Sequence, residues 1–392
     1  MDKSKWEYKK LGEVGDIITG GTPPTKDARN YSSNDYCFVK PSDLTDERIL
    51  FLDDSEFHVS SYAYSNSRKL PKGSVLVCCI GSIGKLGILN VDATCNQQIN
   101  AIIPKSGFDS KYLAYCLLAS KGVMLNIANA PVVPIINKSQ FSNIEIKTCP
   151  IADQQRIVAE LDCLNEMIVV KQEQLKEFDK LAQSIFYDMF GDPVANEKKF
   201  EKHPFGKIAA FKNGLNFKPV DEGNSVKILG VSDFQDLKEI KSADLLSLKC
   251  IKETVDNDYY LKTGDIVIVR SNGSKKLVGR NVLISFEDKN VAYSGFCIRC
   301  RLISDDCSPL YLNSVLSTPS MKELMTSGGR GCNIANINQQ TLNKLMVPLP
   351  PLTLQQQFAD KISAIEAQKE LVKQSIAETQ ALLDYTMDKY FG

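Results

Sequence analysis

Two stretches of the chain repeat apolar residues at alternating steps of three and four, with polar residues between them. The first, Ile151 to Phe190, contains no Gly or Pro and is rich in Gln, Glu, Lys, Leu and Ala. This pattern predicts a helix that begins after Pro150 and stops at Gly191, with Pro193 beyond. Its apolar stripe is Leu161, Leu164, Ile168, Leu175, Phe178 and Ile185, with Lys171 filling one position. The second stretch begins after PLPPLT and runs to Phe391, with the stripe Ile362, Ile365, Val372, Ile376 and Leu383. Both keep a heptad-like period over about four heptads, which predicts a coiled-coil seam. At ~1.5 Å per residue each helix would be about 60 Å long.

The two stretches are copies. Phe190-Gly191 recurs as Phe391-Gly392, a spacing of 201 residues, and the same spacing carries Pro150 to Pro351 and Gln154-Gln155 to Gln355-Gln356. Farther upstream the spacing drifts: LPKGSVLV at 70–77 matches LKTGDIVI at 261–268, and LGEVGDIITG at 11–20 matches FGKIAAFKNG at 205–214. Insertions therefore fall in globular parts and spare the helices. The implied organisation is a first globule (1–150), a spacer helix (151–191), a second globule (192–350) and a C-terminal spacer helix (351–392). A helix this long cannot bury its stripe against a small globule, so its natural partner is its own repeat, paired antiparallel. The expected architecture is two globules held apart by a two-helix rod, with Phe190 and Phe391 each capping it against the opposite globule. Pairing with a second chain is the alternative; equal helix length in both copies favours closure within one chain.

Each globule mixes strands and helices. SVLVCCIG (74–81) and DIVIVRS (265–271) read as buried strands, and KYLAYCLLAS and LYLNSVLSTP as helices. The fold class is α/β: two tandem globular mixed-sheet domains joined by two long helices that form an intramolecular antiparallel coiled coil. Gly-rich loops with Lys, Arg, Ser, Thr and Asn recur at equivalent points of both halves while their sequences differ. Small residues let backbone approach a partner, Lys and Arg suit phosphates, and Arg, Asn and Gln suit base edges. The candidate DNA-contacting residues are Thr22, Thr25, Lys26, Arg29, Ser82, Lys85, Asn129 and Lys138 in the first half. In the second they are Asn216, Lys218, Arg270, Asn272, Ser274, Lys275, Lys276, Arg280, Arg330, Asn333 and Asn336.

Composition narrows the function. The 392 residues are 43% apolar and 24% charged, a globular profile. No apolar run approaches the roughly 18–20 residues of a membrane helix, and the opening MDKSKWEYKK lacks a signal core, so a cytoplasmic protein with no membrane partner is expected. Twelve scattered cysteines fit a reducing compartment. Cys297 and Cys300, in a predicted strand, would point to opposite faces; with only His58 and His203 available, no metal site is expected. The 47 basic and 47 acidic residues cancel, which counts against a stand-alone, non-specific nucleic-acid binder. IGSIGKLG lacks P-loop spacing, no histidine triad suggests itself, and neither an adenine-methyltransferase motif nor a nuclease carboxylate cluster is present. No catalytic residue is assigned.

The doubled PIADQQRIVAELD and PLPPLTLQQQFADKI helix starts, the Phe-Gly endings, GGTPPT, LPKGSVLV and NQQIN together resemble the specificity (S) subunits of type I restriction–modification systems. The resemblance covers essentially the whole chain. It departs in the second half, where GGTPPT has become NGLNFK and NQQ has become YSG. It implies that each globule reads half of a split sequence in double-stranded DNA, and that the helices set the gap and dock two modification (methyltransferase) subunits. It leaves open two restriction subunits. It also implies that this chain binds no cofactor, with S-adenosylmethionine, ATP and magnesium on the partner subunits. From the periodicities alone, a bivalent scaffold gripping protein or carbohydrate ligands across the spacer remains open.

Overall fold

The computed structural model describes residues 6–46, 48–128, 133–234, 237–252, 254–288, 290–327 and 336–392. The chain divides into two compact units, Met1–Gln174 with Val372–Gly392, and Leu175–Leu371. The division falls inside both long helices, whereas the sequence marks boundaries at their ends. The reason is that the apolar stripe of each half-helix joins the core it leans on.

In the first unit, β1 (Glu7–Lys10), α1 (Leu11–Val14) and β2 (Gly15–Thr19) precede β3 (Tyr36–Val39), β4 (Phe51–Leu52), β5 (His58–Val59) and α2 (Ser61–Ser65). Strands β6 (Val75–Cys78), β7 (Leu86–Leu89), β8 (Ala93–Cys95) and β9 (Ile99–Pro104) follow. Then come α3 (Ser110–Ala119), α4 (Lys121–Ile127), α5 (Lys138–Ser142), β10 (Glu145–Thr148) and the long α6 (Ile151–Phe190). A five-stranded sheet has the order β2-β9-β6-β7-β4, a three-stranded sheet the order β5-β3-β8, and β1 pairs with β10. β4–β7 and β3–β8 are parallel while their neighbours β6–β7 and β3–β5 are antiparallel, so both sheets are mixed. Val75 and Val77 enter a core with Tyr112 and Leu113, and Leu76 and Cys78 one with Val39 and Ala93. Burial on both faces explains why this strand is apolar throughout.

The second unit repeats the plan. β11 (Lys202–Pro204), α7 (Phe205–Ile208), β12 (Ala209–Asn213), β13 (Pro219–Leu229), β14 (Glu239–Ile240) and β15 (Leu248–Ile251) come first. β16 (Ile266–Val269), β17 (Asn281–Ile284), β18 (Val291–Tyr293) and β19 (Cys297–Leu302) follow. α8 (Pro309–Ser317), α9 (Pro319–Thr326), α10 (Gln339–Lys344), β20 (Met346–Pro348) and α11 (Leu352–Phe391) complete it. The sheet orders are β12-β19-β16-β17-β14, β15-β13-β18 and β11-β20, strand for strand those of the first unit. Cys297 and Cys300 enter different cores, as a strand requires.

α6 and α11 are each 40 residues long and pair antiparallel within each unit. In the first unit Tyr390 Oη donates to Glu160 at 2.6 Å, and Lys171 Nζ donates to Thr379 Oγ1 at 2.8 Å. In the second, Lys369 Nζ donates to Asp179 at 3.0 Å. Leu161, Leu164, Ile168, Ile365 and Leu383 are buried, and Leu175, Phe178, Ile185, Ile362, Val372 and Ile376 are half-buried. Near the end of α6 the deepest contacts pass to Phe186 and Phe190, which the stripe read from sequence did not include. There the helix packs on Tyr311 of the globule as well as on Phe358 of α11, and 3.6 residues per turn drifts from a 3.5-residue seam. Phe190 packs on Tyr311 at 4.8 Å between ring centroids, and Phe391 on Tyr112 at 5.6 Å.

Each long helix is tied to its globule by a buried glutamine. Gln154 accepts from the Asp109 N–H at 2.9 Å and donates to the carbonyls of Gly107 (3.0 Å) and Cys149 (2.8 Å). Gln355 accepts from the Ser308 N–H at 2.8 Å and donates to those of Asp306 (2.9 Å) and Pro350 (2.8 Å). Both side chains are fully buried, so truncation strands backbone groups away from water. Gln154→Ala is expected to destabilise the first unit by about 2–4 kcal/mol in urea unfolding, whereas Gln155→Ala, at the exposed neighbour, changes stability by no more than ~0.5 kcal/mol.

Candidate nucleic-acid interface

In β2 and β9, Thr19 lies opposite Asn100, so the chain leaving β2 meets the turn that enters β9. The Gly20 N–H donates to the Ile99 carbonyl at 2.9 Å and the Gly21 N–H to that of Cys95 at 2.8 Å. A side-chain carbon on Gly20 would lie 2.1 Å from the Asn96 carbonyl oxygen, so only glycine permits this approach. Beyond the bend, the Thr22 hydroxyl donates to Gln97 Oε1 at 2.6 Å. Across the 96–98 turn, the Cys79 N–H donates to the Gln98 carbonyl at 2.7 Å, the Ile136 N–H to that of Cys79 at 2.8 Å, and the Gly81 N–H to that of Pro134 at 3.0 Å. Residues 20–22, 96–98, 79–82 and 134–138 are thus joined into one surface at an end of the five-stranded sheet.

The second unit builds the same frame from different residues. The Gly214 N–H donates to the Cys297 carbonyl at 3.0 Å and the Leu215 N–H to that of Tyr293 at 2.8 Å. A side-chain carbon on Gly214 would meet the Ser294 carbonyl oxygen at 2.2 Å. The Arg270 N–H donates to the Phe296 carbonyl at 2.9 Å, and the Ile337 N–H to that of Arg270 at 2.9 Å. Phe296 stands where the first unit has Gln98 and leaves 60% of its surface exposed.

The predicted residues divide over these surfaces. Thr22 and Ser82 lie on the first and are exposed, with Lys85 half-buried beside them and Lys138 exposed as the first residue of α5. Thr25 and Lys26 are exposed on the loop beyond Thr22. Arg29 is turned to its own neighbourhood: its guanidinium bonds both carboxylate oxygens of Asp27 (2.9 and 2.8 Å) and lies 4.5 Å from the Tyr62 ring. Those bonds hold the Asp27 carboxyl below its usual range. In the second unit Asn216 lies against Gly295, and Lys218, Ser274, Lys275 and Lys276 are exposed. Asn272 accepts from the Ser274 N–H at 2.9 Å, and Asn336 bridges Ser271. Arg270 is half-buried, its Nε without a hydrogen-bond partner among the described residues. Arg280 is half-buried near Lys322, whose pKa falls through burial first and through Arg280 second. Asn129, Arg330 and Asn333 lie outside the described residues. The sequence reading did not single out Arg68, Gln97 or Phe296, which also lie on these surfaces, although NQQIN and its counterpart YSG flagged the turns that carry the last two.

Among the described residues, one group of metal-type donors comes together. Cys37, Asp54 and His58 place theirs within 4.8 Å of one another because Cys37 and His58 are cross-strand partners. They satisfy each other: His58 Nε2 bonds Asp54 at 2.7 Å, and the Cys37 thiol, whose pKa burial raises, donates weakly to it at 3.8 Å. Among the described residues no helix is long and apolar enough to cross a membrane.

The family profile described as "Type I restriction modification DNA specificity domain" matches the chain twice, over residues 3–178 and 199–381. The chain belongs to this family. It is 22% identical over 398 residues to the specificity subunit of type I restriction enzyme EcoKI from Escherichia coli, across 95% of this chain and 84% of that one. Against the MjaIX specificity subunit of Methanocaldococcus jannaschii it is 27% identical over 270 residues, 68% of this chain and 57% of the relative. The fold is shared with an S subunit from M. genitalium (TM-score 0.51, 14% identity, 99% of this chain and 96% of that one). It is also shared with a chain from a type I R-M system studied for complex assembly and conformational transition (TM-score 0.65, 18% identity, 98% and 97%). The two profile matches each take in one specificity-domain surface, the first ending in α6 and the second in α11.

Gly20→Ala is expected to cost about 2–4 kcal/mol, because its methyl collides with backbone that cannot retreat without parting β2 from β9. Gly21→Ala meets nothing within 4 Å and should leave the melting temperature nearly unchanged. Thermal unfolding of the two variants side by side checks the pair.

Proposed function

We propose that this type I specificity subunit reads a bipartite, asymmetric DNA target, one half through each globular part. The observation that carries this reading is the doubled loop frame: the same backbone hydrogen bonds hold unlike side chains, Gln97–Gln98 in one unit and Gly295–Phe296 in the other. Equal frames with unequal side chains suit two related readings of different sequence. The subunit does no chemistry itself; S-adenosylmethionine, ATP and magnesium belong to partner subunits. It works in the cytoplasm with two methyltransferase subunits and, in a restricting system, two restriction subunits. A neutral chain then needs its partners for much of its grip on phosphate.

The paired helices set the gap between half-sites and carry the methyltransferases. Support comes from apolar residues left exposed at matching places of the 201-residue repeat. Val170 and Leu371 are each 60% exposed, Leu181 and Leu382 46% and 52%, and Ile151 and Leu352 41% and 46%. Surface that displays apolar side chains twice at equivalent positions suits two copies of one partner.

Exchanging one globular part with that of another specificity subunit, with the methyltransferase supplied, is expected to change one half of the methylated sequence and leave the other half and the gap intact. A map of methylated adenines in the host reads this directly; an unchanged motif, or none dependent on this chain, counts against DNA reading and favours a scaffold. Val170→Asp and Leu371→Asp are each expected to weaken assembly with one methyltransferase about tenfold while the melting temperature holds, and the double variant to lose both. Sedimentation of the mixed subunits measures the stoichiometry.

A further inference from the structure

Arg68 sits at the edge of the first unit's loop surface, between α2 and β6. Its Nη1 donates to the Thr19 carbonyl at 2.5 Å and, at a longer 3.5 Å, to that of Gly20. Its own carbonyl accepts from the buried Thr94 hydroxyl at 3.4 Å. The backbone of Arg68 is thus tied to β8, and its guanidinium is held against the Gly20 bend, whose next step, Thr22, bonds Gln97.

What holds it matters as much as where it is held. Arg29, Lys105, Lys111 and Lys121 are each paired with a carboxylate: Asp27, Asp16, Asp162 and Asp46. Arg68 is pinned by carbonyl oxygens, and among the described residues no carboxylate pairs with it. Carbonyl dipoles orient a guanidinium without cancelling its charge. With one nitrogen so occupied, the remaining N–H groups of the planar fork stay available and pre-oriented. A fixed fork of parallel donors matches the O6 and N7 acceptors of guanine in the major groove.

We propose that Arg68 is a base-reading residue of the first domain and recognises guanine in the first half-site, with the Thr19 and Gly20 carbonyls as its buttress. This rests on the DNA-reading function proposed above. Gln97, exposed and tied to Thr22, stands beside it as the second polar group of the same surface.

The test uses the full chain assembled with its methyltransferase subunits, as wild type, Arg68→Ala and Arg68→Gln. The first readout is the map of methylated adenines in the host. The wild type should give a two-part motif with a G·C pair in its first half. Both variants should relax that one position and leave the second half and the gap intact. The second readout is methylation of a duplex carrying 7-deazaguanine at that position, which lacks the N7 acceptor. The wild type should lose about tenfold, and Arg68→Ala should lose nothing further, since its contact is already gone. Arg68→Gln keeps a donor for the Thr19 carbonyl but neither the charge nor the guanine-matching fork, so it decides the matter if Arg68→Ala misfolds.

A first half-site without a G·C pair overturns the proposal, as does an unchanged motif in Arg68→Gln. Uniform weakening over all sequences, with the salt dependence shallower by about one phosphate contact, overturns it in favour of a backbone contact. If the wild-type complex itself yields no two-part motif, DNA reading fails as a whole, a result distinct from the loss of one position.

Discussion

Two forty-residue helices carry apolar stripes that neither can bury alone, and this constraint organises the chain. Pairing the start of one helix with the end of the other, within each unit, removes the stripes from water and merges them with the cores they reach. The ends must then be fixed, because a helix that slides by a turn re-aims everything attached to it. Gln154 and Gln355 fix the starts by three backbone hydrogen bonds each; Phe190 and Phe391 fix the ends on Tyr311 and Tyr112. Lys171 and Lys369, at seam positions, add partners that hydrocarbon would not demand: Thr379 for the first, Asp179 for the second. Apolar seams tolerate slippage, and a polar residue that needs a specific mate resists it.

The globules separate a backbone frame from the loop surface it carries. Their loops are held by backbone hydrogen bonds, from the residue after β6 to the turn before β9 in one unit and from the residue after β16 to the turn before β19 in the other. Backbone pairing does not depend on side-chain identity. Cys79 can therefore stand where Arg270 stands, and Gln98 where Phe296 stands, without loss of the frame. At Gly20 and its counterpart Gly214 identity is dictated, because backbone oxygen occupies the space a side chain would need. The constraint there is steric, whereas the backbone hydrogen bonds around it ask nothing of side-chain identity.

This explains what could and could not be read from the sequence. The helices, their seam and the repeat follow from local periodicity, and the strands buried on both faces announce themselves as unbroken apolar runs. At the tip of α6 the reading slipped from Phe186 to Ile185, because the helix there packs at once on Phe358 of α11 and on Tyr311 of the globule. The loops were recognisable as loops, but their internal wiring was not. Arg29 looked available, yet Asp27 two residues earlier holds it. Arg68 looked unremarkable, because the contacts that orient it run from a side chain to carbonyls 48 and 49 residues away, and no local pattern records such a bond.

The charge balance follows from the same wiring. Surface ion pairs such as Lys121 with Asp46 and Lys212 with Asp258 contribute little to stability. Their larger effect is on the field: each cation neutralised within its own domain is one that no longer draws any phosphate indiscriminately. A reader that must find one sequence among a great excess of others gains from weak general attraction, since specificity is a ratio of affinities rather than an affinity. On the proposed reading, paired lysines lower the denominator of that ratio. A guanidinium held by carbonyls, still charged and already oriented, raises the numerator, but only where a base presents acceptors in the matching plane.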